Sequence, residues 1–144
     1  MTKTDREQIE ELIATYANAL DTKDYPAVEA CFMADATVRY EGYSHTLKGH
    51  TEIAAHMKRA LQPLDATQHL FTNFIIDIEG NTGRLRCSIL AQHVRLGTVG
   101  GDKYLAGGEY DAELRRASGK WEFAHVTART LWGDGNRAVL PKAE

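Results

Sequence analysis

The sequence predicts an α+β fold in which three short helices precede a long antiparallel meander. Apolar residues recur at helical spacing as far as residue 61. From residue 67 onward, alternation with a period of two takes over, and glycine-bearing turns divide this second half into four extended stretches. A strongly curved sheet, mixed or antiparallel, wrapped around the helices would form a cone. A cup would then lie between its concave face and the helical lid.

Thr4-Asp5-Arg6-Glu7 reads as a capping box, in which the Thr hydroxyl and the Glu carboxylate satisfy each other's free backbone N–H groups. Behind it, Ile9, Leu12, Ile13, Tyr16 and Leu20 mark one helical face, and the helix runs to about Asp21. Asp24-Tyr25-Pro26 starts a second helix, with Asp24 as cap, Pro26 in the first turn, and Val28, Cys31 and Phe32 as its buried face. Residues 36–40 form a strand candidate, turning at Glu41-Gly42 into a short strand around His45–Leu47. Thr51 is expected to cap a third helix that buries Ile53, Met57, Ala60 and Leu61, and Pro63 closes it. The four long stretches lie near 67–79, 83–96, 103–117 and 120–132, joined by Gly80-Asn81, a Gly-rich loop at 97–102, and Ser118-Gly119. Residues 132–136 read as a strand end followed by turns. No internal repeat or linker interrupts the chain, so residues 1–144 are expected to form one domain.

Composition narrows the function. A 43% hydrophobic and 26% charged content is that of an ordinary globular protein. A net charge of −3 with mixed signs lacks the basic stripe of a nucleic-acid platform. No apolar run approaches the ~20 residues of a membrane span, and the first residues carry no apolar core of a signal peptide. Cys31 and Cys87 sit inside apolar patterns without a Cys-x-x-Cys, as expected for reduced thiols in a cytoplasmic protein. No His/Asp/Glu pair has a recognised zinc spacing, and Ser88 and Ser118 lack a nucleophile-elbow context.

Strand alternation then assigns faces. Leu85, Cys87, Ile89, Ala91 and His93 share one side of their strand, as do Tyr104, Ala106, Gly108, Tyr110, Ala112 and Leu114 of the next. Gly107-Gly108 is a candidate bend or bulge. The same reasoning groups His69, Phe71, Asn73 and Ile75 on one face, and Trp121, Phe123, His125, Thr127 and Arg129 on another. His93, on an apolar face near a strand end, is either a hydrogen-bonded core residue or a pocket group. His45, His50 and His56 read as surface residues, and His125 as structural or exposed.

Taken together, Tyr16-x4-Asp21, Asp35-Ala36-x3-Tyr40-x-Gly42, Gln68-His69-x3-Asn73, Gly108-x-Tyr110 and Arg115-Arg116-x2-Gly119-x-Trp121 resemble the SnoaL-like branch of the nuclear transport factor 2-like superfamily. That branch includes scytalone dehydratase, hexachlorocyclohexane dehydrochlorinase and a bile-acid dehydratase. The resemblance implies a cone-shaped fold, no cofactor, no metal, a small hydrophobic or polycyclic ligand, and a homodimer or homotrimer packed through the open sheet face. It also implies a catalytic pair at Asp21 and His69, with Tyr16, Tyr40, His93, Tyr110 and Arg129 around the substrate.

If Asp21 and His69 meet, the imidazole can abstract a proton while the carboxylate fixes its tautomer and stabilises its cation. Tyrosine donors would serve an oxygen that gains charge. The expected chemistry is a cofactor-independent elimination or isomerisation, of dehydratase type, on a small hydrophobic ring compound. The rival from another class is a non-catalytic binder, or a small oligomeric subunit, in which the pair is structural. An epoxide hydrolase would need a second aspartate and an arginine about a water, and ranks lower. The substrate is not written in the sequence.

Overall fold

A computed structural model describes residues 2–142. The first half holds α1 (Asp5–Asp21), α2 (Tyr25–Ala30), β1 (Phe32–Tyr40), β2 (Leu47–Lys48) and α3 (His50–Leu61). The long strands β3 (Ala66–Glu79), β4 (Thr82–Val94), β5 (Lys103–Ala117) and β6 (Lys120–Gly135) follow, and then a 3₁₀ turn at Arg137–Val139. Six strands make one sheet in the order β2-β1-β6-β5-β4-β3. All neighbours are antiparallel except β1 and β6, which run parallel, so the sheet is mixed. Among the described residues no helix is long and apolar enough to cross a membrane.

The first helix starts as its sequence dictates. Thr4 Oγ1 accepts from the Glu7 N–H at 3.1 Å, and the Glu7 carboxylate accepts from the Thr4 N–H at 2.9 Å. Its N-terminus is pinned to the β5–β6 hairpin through Asp5, which accepts from Trp121 Nε1 at 3.1 Å and from the Arg116 guanidinium. The buried stripe Ile9, Ile13, Tyr16 and Leu20 lies against the sheet. Tyr16 is the hub of that contact. The rings of Phe32, Phe71, Tyr110 and Phe123 lie 5.6, 6.0, 6.5 and 5.6 Å from its own, mostly edge-on or tilted, as aromatic quadrupoles prefer.

Several local expectations are corrected. Phe32 is buried but opens β1 rather than closing α2, which stops at Ala30. The short return strand lies at Leu47–Lys48, starting two residues later than expected. Gly49, not Thr51, occupies the N-cap of α3, at φ +89, with no side-chain cap. Strand β6 runs on to Gly135 because Gly133 lets it pass the Tyr104 side chain, where a Cβ would lie 1.8 Å from the phenol oxygen.

The larger corrections come from bulges. In β3 the pairing skips between Thr72 and Ile75, with Asn73 in the left-handed region at φ +61. Ile75 therefore points outward and is 59% exposed, while Phe74 and Ile76 pack against the core. In β6 the pairing skips between His125 and Phe123, so Val126 and Ala128 continue the buried face that Trp121 and Phe123 begin. His125, Thr127 and Arg129 fall on the other side. There His125 bridges the hydroxyls of Thr37 and Thr127.

A third bulge falls at the expected Gly107-Gly108 pair: Gly107 faces Trp132, Gly108 faces Thr130, and Leu131 is the extra residue. A Cβ on Gly108 would lie 1.9 Å from the Arg129 carbonyl oxygen, a backbone atom that cannot rotate away. Gly108→Ala is expected to cost about 2–3 kcal/mol in urea or thermal unfolding. Gly83→Ala, whose new Cβ would come no closer than 3.4 Å to any neighbour, is expected to cost less than about 1 kcal/mol.

Candidate active site

The C-terminal end of α1 meets the start of β3 at one carboxylate. Helix α1 ends on Asp21, and Lys23 at φ +59 turns the chain away. On β3, Thr67 and His69 are two residues apart and so share a face. The Asp21 carboxylate takes all the donors that this face offers: Thr67 Oγ1 at 3.0 Å, the His69 N–H at 3.0 and 3.2 Å, and the His69 ring at Nδ1, 2.7 Å away. The His69 side chain is 9% exposed and that of Asp21 21%. Partial burial pushes the carboxyl up, but the hydrogen bonds from His69 and Thr67 outweigh it. The net shift is below the ordinary carboxylate range, and Asp21 is ionised near neutral pH.

An ionised carboxylate only accepts, so the proton on the His69 ring sits on Nδ1, and Nε2 is left as a base. His69 is part of the wall of a cavity of about 400 Å³. His93 stands beside it, ring centroids 6.2 Å apart and nearly perpendicular. Its Nδ1 lies 3.0 Å from the Tyr104 carbonyl, which again fixes the proton on Nδ1 and leaves Nε2 as an acceptor. Burial lowers its affinity for a proton, the Tyr104 carbonyl opposing, so His93 is neutral at neutral pH.

Three tyrosines join these histidines in the lining. Tyr16, Tyr40 and Tyr110 all line the cavity. Burial raises all three phenols, Tyr110 to about 12, with a hydrogen bond from Tyr16 pulling Tyr110 the other way. All three are therefore neutral donors. The Tyr40 hydroxyl points to Met57 Sδ at 3.5 Å. Ile89, Ala91 and Ala106 supply apolar floor between these polar groups.

Two placements differ from the sequence reading. Arg129 reaches the cavity lining, but its guanidinium is held by two carboxylates, Glu41 at 2.7 Å and Glu109 at 3.1 Å, as its outward turn after the β6 bulge requires. It is a rim ion pair rather than a free cation above the substrate. His56, expected on the surface, is half-buried in the cavity wall, stacked 5.3 Å from Tyr40. Burial and the neighbouring Arg59 both lower its proton affinity.

Thr67, Arg59 and Arg137 are site residues that the sequence reading did not single out. Thr67 had a signal in its two-residue spacing from His69. Arg137 had none, because it follows the last strand in a 3₁₀ turn. The tail folds back through Val139, which is fully buried, and Leu140 and Pro141 reach the cavity mouth. Trp132 lies across Gly107 and forms no part of the wall. No cluster of three or more His, Cys, Asp or Glu suited to a metal occurs among the described residues.

Comparison with known proteins agrees with this architecture. Residues 1–127 match the SnoaL-like domain family. The chain belongs to the SnoaL-like family. A relative from Penicillium crustosum, terrestric acid biosynthesis cluster protein E, is 32% identical over 96% of this SnoaL-like chain and 91% of its own. Among solved structures, a protein of Novosphingobium aromaticivorans provisionally assigned as a scytalone dehydratase superposes with a TM-score of 0.84 at 21% identity, over 96% and 90% of the two chains. A type 3 hexachlorocyclohexane dehydrochlorinase from Novosphingobium barchaimii gives 0.79 at 18%, over 92% and 90%. At these identities the likeness to the two structures is one of fold.

The Asp21 network predicts an acid limb of stability. Its carboxyl binds a proton less readily in the folded chain than unfolded, where it titrates near ~3.9. The network's contribution is therefore complete above that pH and is lost as pH falls through the lower folded value. Urea unfolding of the native chain and Asp21→Asn should differ most near neutral pH, and the gap should narrow as pH falls below the ordinary carboxylate value of ~3.9.

Proposed function

We propose that this SnoaL-like protein catalyses an elimination or isomerisation on a small, largely apolar ring compound, using acid–base chemistry between its own side chains. The observation that carries the proposal is the 2.7 Å contact of His69 Nδ1 with Asp21, made by a histidine that lines a cavity. Nε2 takes a proton from a carbon next to a carbonyl or a leaving group, and Asp21 stabilises the imidazolium that forms. In a dehydration the electron pair of the broken C–H bond becomes the new double bond as the C–O bond breaks. The departing hydroxyl then takes the proton back from His69 and leaves as water. Tyr110, whose hydroxyl oxygen accepts from Tyr16, donates to the oxygen that gains charge, where exclusion of water makes such a donor most effective. His93 Nε2 accepts from a substrate hydroxyl and orients it.

Three further features support this reading. A cavity of about 400 Å³ is within the usual range for a small-molecule site. The two solved neighbours are named for loss of water and of hydrogen chloride, and the Penicillium relative for a biosynthetic cluster. Cys31 and Cys87 are unpaired and buried, which fits a cytoplasmic location. A screen of hydroxylated and halogenated ring compounds, followed by absorbance of the new double bond, should find turnover. Asp21→Asn and His69→Ala should each lower it by roughly 10²- to 10⁴-fold with circular dichroism unchanged. An unchanged rate in either variant sinks the dyad.

The outer face of the sheet supports self-association. Register places Leu70, Leu90, Gly107 and Trp132 in one row across β3, β4, β5 and β6. The three side chains are 48%, 41% and 48% exposed, and Leu131 beside them 64%. A contiguous apolar row of this kind is best covered by a second copy of the chain, in a homodimer or homotrimer. Light scattering should give a multiple of the 16.0 kDa chain mass, and Leu90→Lys should reduce it to the monomer.

A further inference from the structure

The cavity's charge is at odds with that of the chain. The protein has 17 Lys and Arg against 20 Asp and Glu. Its cavity lining holds Arg59, Arg129, Arg137 and Lys142, with Glu41 as the one carboxylate among them. Glu41 and the nearby Glu109 are both taken by Arg129. Asp21 lies behind His69, at the end where α1 meets β3. Arg59, Arg137 and Lys142 have no acidic partner within 4.0 Å among the described residues.

Arg137 is also held in position. Its Nη1 donates to the Tyr104 hydroxyl at 3.3 Å, and its guanidinium lies 5.9 Å from the centre of the Tyr104 ring. Tyr104 is itself buried in the wall next to His93. An arginine anchored by a ring and a phenol keeps its other N–H groups for a ligand, in the planar fork that suits a carboxylate. Arg59 also lines the cavity, from the last turn of α3 beside His56. The same lining carries apolar and aromatic side chains, among them Ile89, Ala91, Ala106, Tyr40 and Tyr110.

We propose that the substrate is an anion, a ring compound bearing a carboxylate or an ionised enol, whose ring enters the cavity while Arg137 and Arg59 hold its charge at the mouth. The proposal rests on reading the cavity as the substrate site. It sets the direction of binding, since the reacting carbon then lies at the end of the ring system remote from the charge. It also gives the rim cations a role in capture, because uncompensated charge at a mouth draws in an oppositely charged ligand and weakens with salt.

The test uses binding alone, so an inert Asp21–His69 pair would not affect it. 2-Naphthoate and 2-naphthamide share size and ring and differ in charge, and calorimetry compares them on the native chain, Arg137→Gln, Arg59→Gln and the double variant. The native chain should prefer naphthoate by about tenfold, and the preference should fall in each single variant and vanish in the double, with naphthamide changed less than about twofold. Raising ionic strength should erode the naphthoate preference. Ala91→Trp, which fills the cavity floor, should abolish binding of both probes. The proposal is overturned if naphthoate does not bind the native chain more tightly than naphthamide, if the double variant keeps the preference, or if Ala91→Trp leaves naphthoate binding intact.

Discussion

The catalytic reading of this protein depends on one carboxylate, Asp21, which joins α1 to Thr67 on β3, 46 residues further along the chain. Asp21 closes α1, and the Thr67 hydroxyl, the His69 amide and the His69 ring all converge on it from β3. A buried carboxylate without such donors would resist ionisation; with them it remains charged at the inner end of an apolar cup. That charge then dictates the state of its neighbour. Because an ionised carboxylate offers no proton, a neutral His69 ring must present Nδ1–H to it, which leaves the free lone pair on Nε2. The junction of α1 with β3 and the tautomer of His69 are thus set by the same contact.

The surrounding fold keeps that contact in register. The capping box and Asp5 fix one end of α1, and the aromatic cluster about Tyr16 fixes its middle against the sheet. With both constrained, the position of Asp21 at the far end follows from helix geometry. The bulges do complementary work. Those in β3 and β6 switch inward and outward faces partway along long strands. This lets one sheet line a cavity at one end and pack a solid core at the other. The cavity lining accordingly combines imidazoles (His56, His69 and His93), phenols (Tyr16, Tyr40 and Tyr110) and cations (Arg59, Arg129, Arg137 and Lys142), with the Asp21 carboxylate behind His69.

Much of this was legible in the sequence, because its signals are periodic or local. Ile9 to Leu20 announced α1, Thr4 and Glu7 its start, and the alternation from Leu85 to His93 the inward face of β4. The pairing of Asp21 with His69 came from resemblance to a family pattern, since no local rule relates a helix end to a strand so far along the chain. What escaped did so for physical reasons. A bulge adds a residue without a distinctive side chain, so Ile75, His125 and Arg129 were assigned to the wrong face. At the β3 bulge the structure puts Asn73 at a left-handed φ, a conformation that asparagine adopts more readily than most residues. Gly49 replaced Thr51 at the N-cap of α3 because the preceding strand imposes a φ that favours glycine. His56 and Arg137 belong to the cavity through tertiary packing that neither helical nor strand periodicity encodes.

The most direct test of the central claim is the protonation pattern of the His69 ring, read by nitrogen-15 NMR of the imidazoles at a pH where they are neutral. The account predicts that His69 carries its proton on Nδ1, strongly deshielded by Asp21, with Nε2 unprotonated, and that Asp21→Asn removes the deshielding. A His69 ring protonated on Nε2 instead would leave no base facing the cavity and would contradict the account.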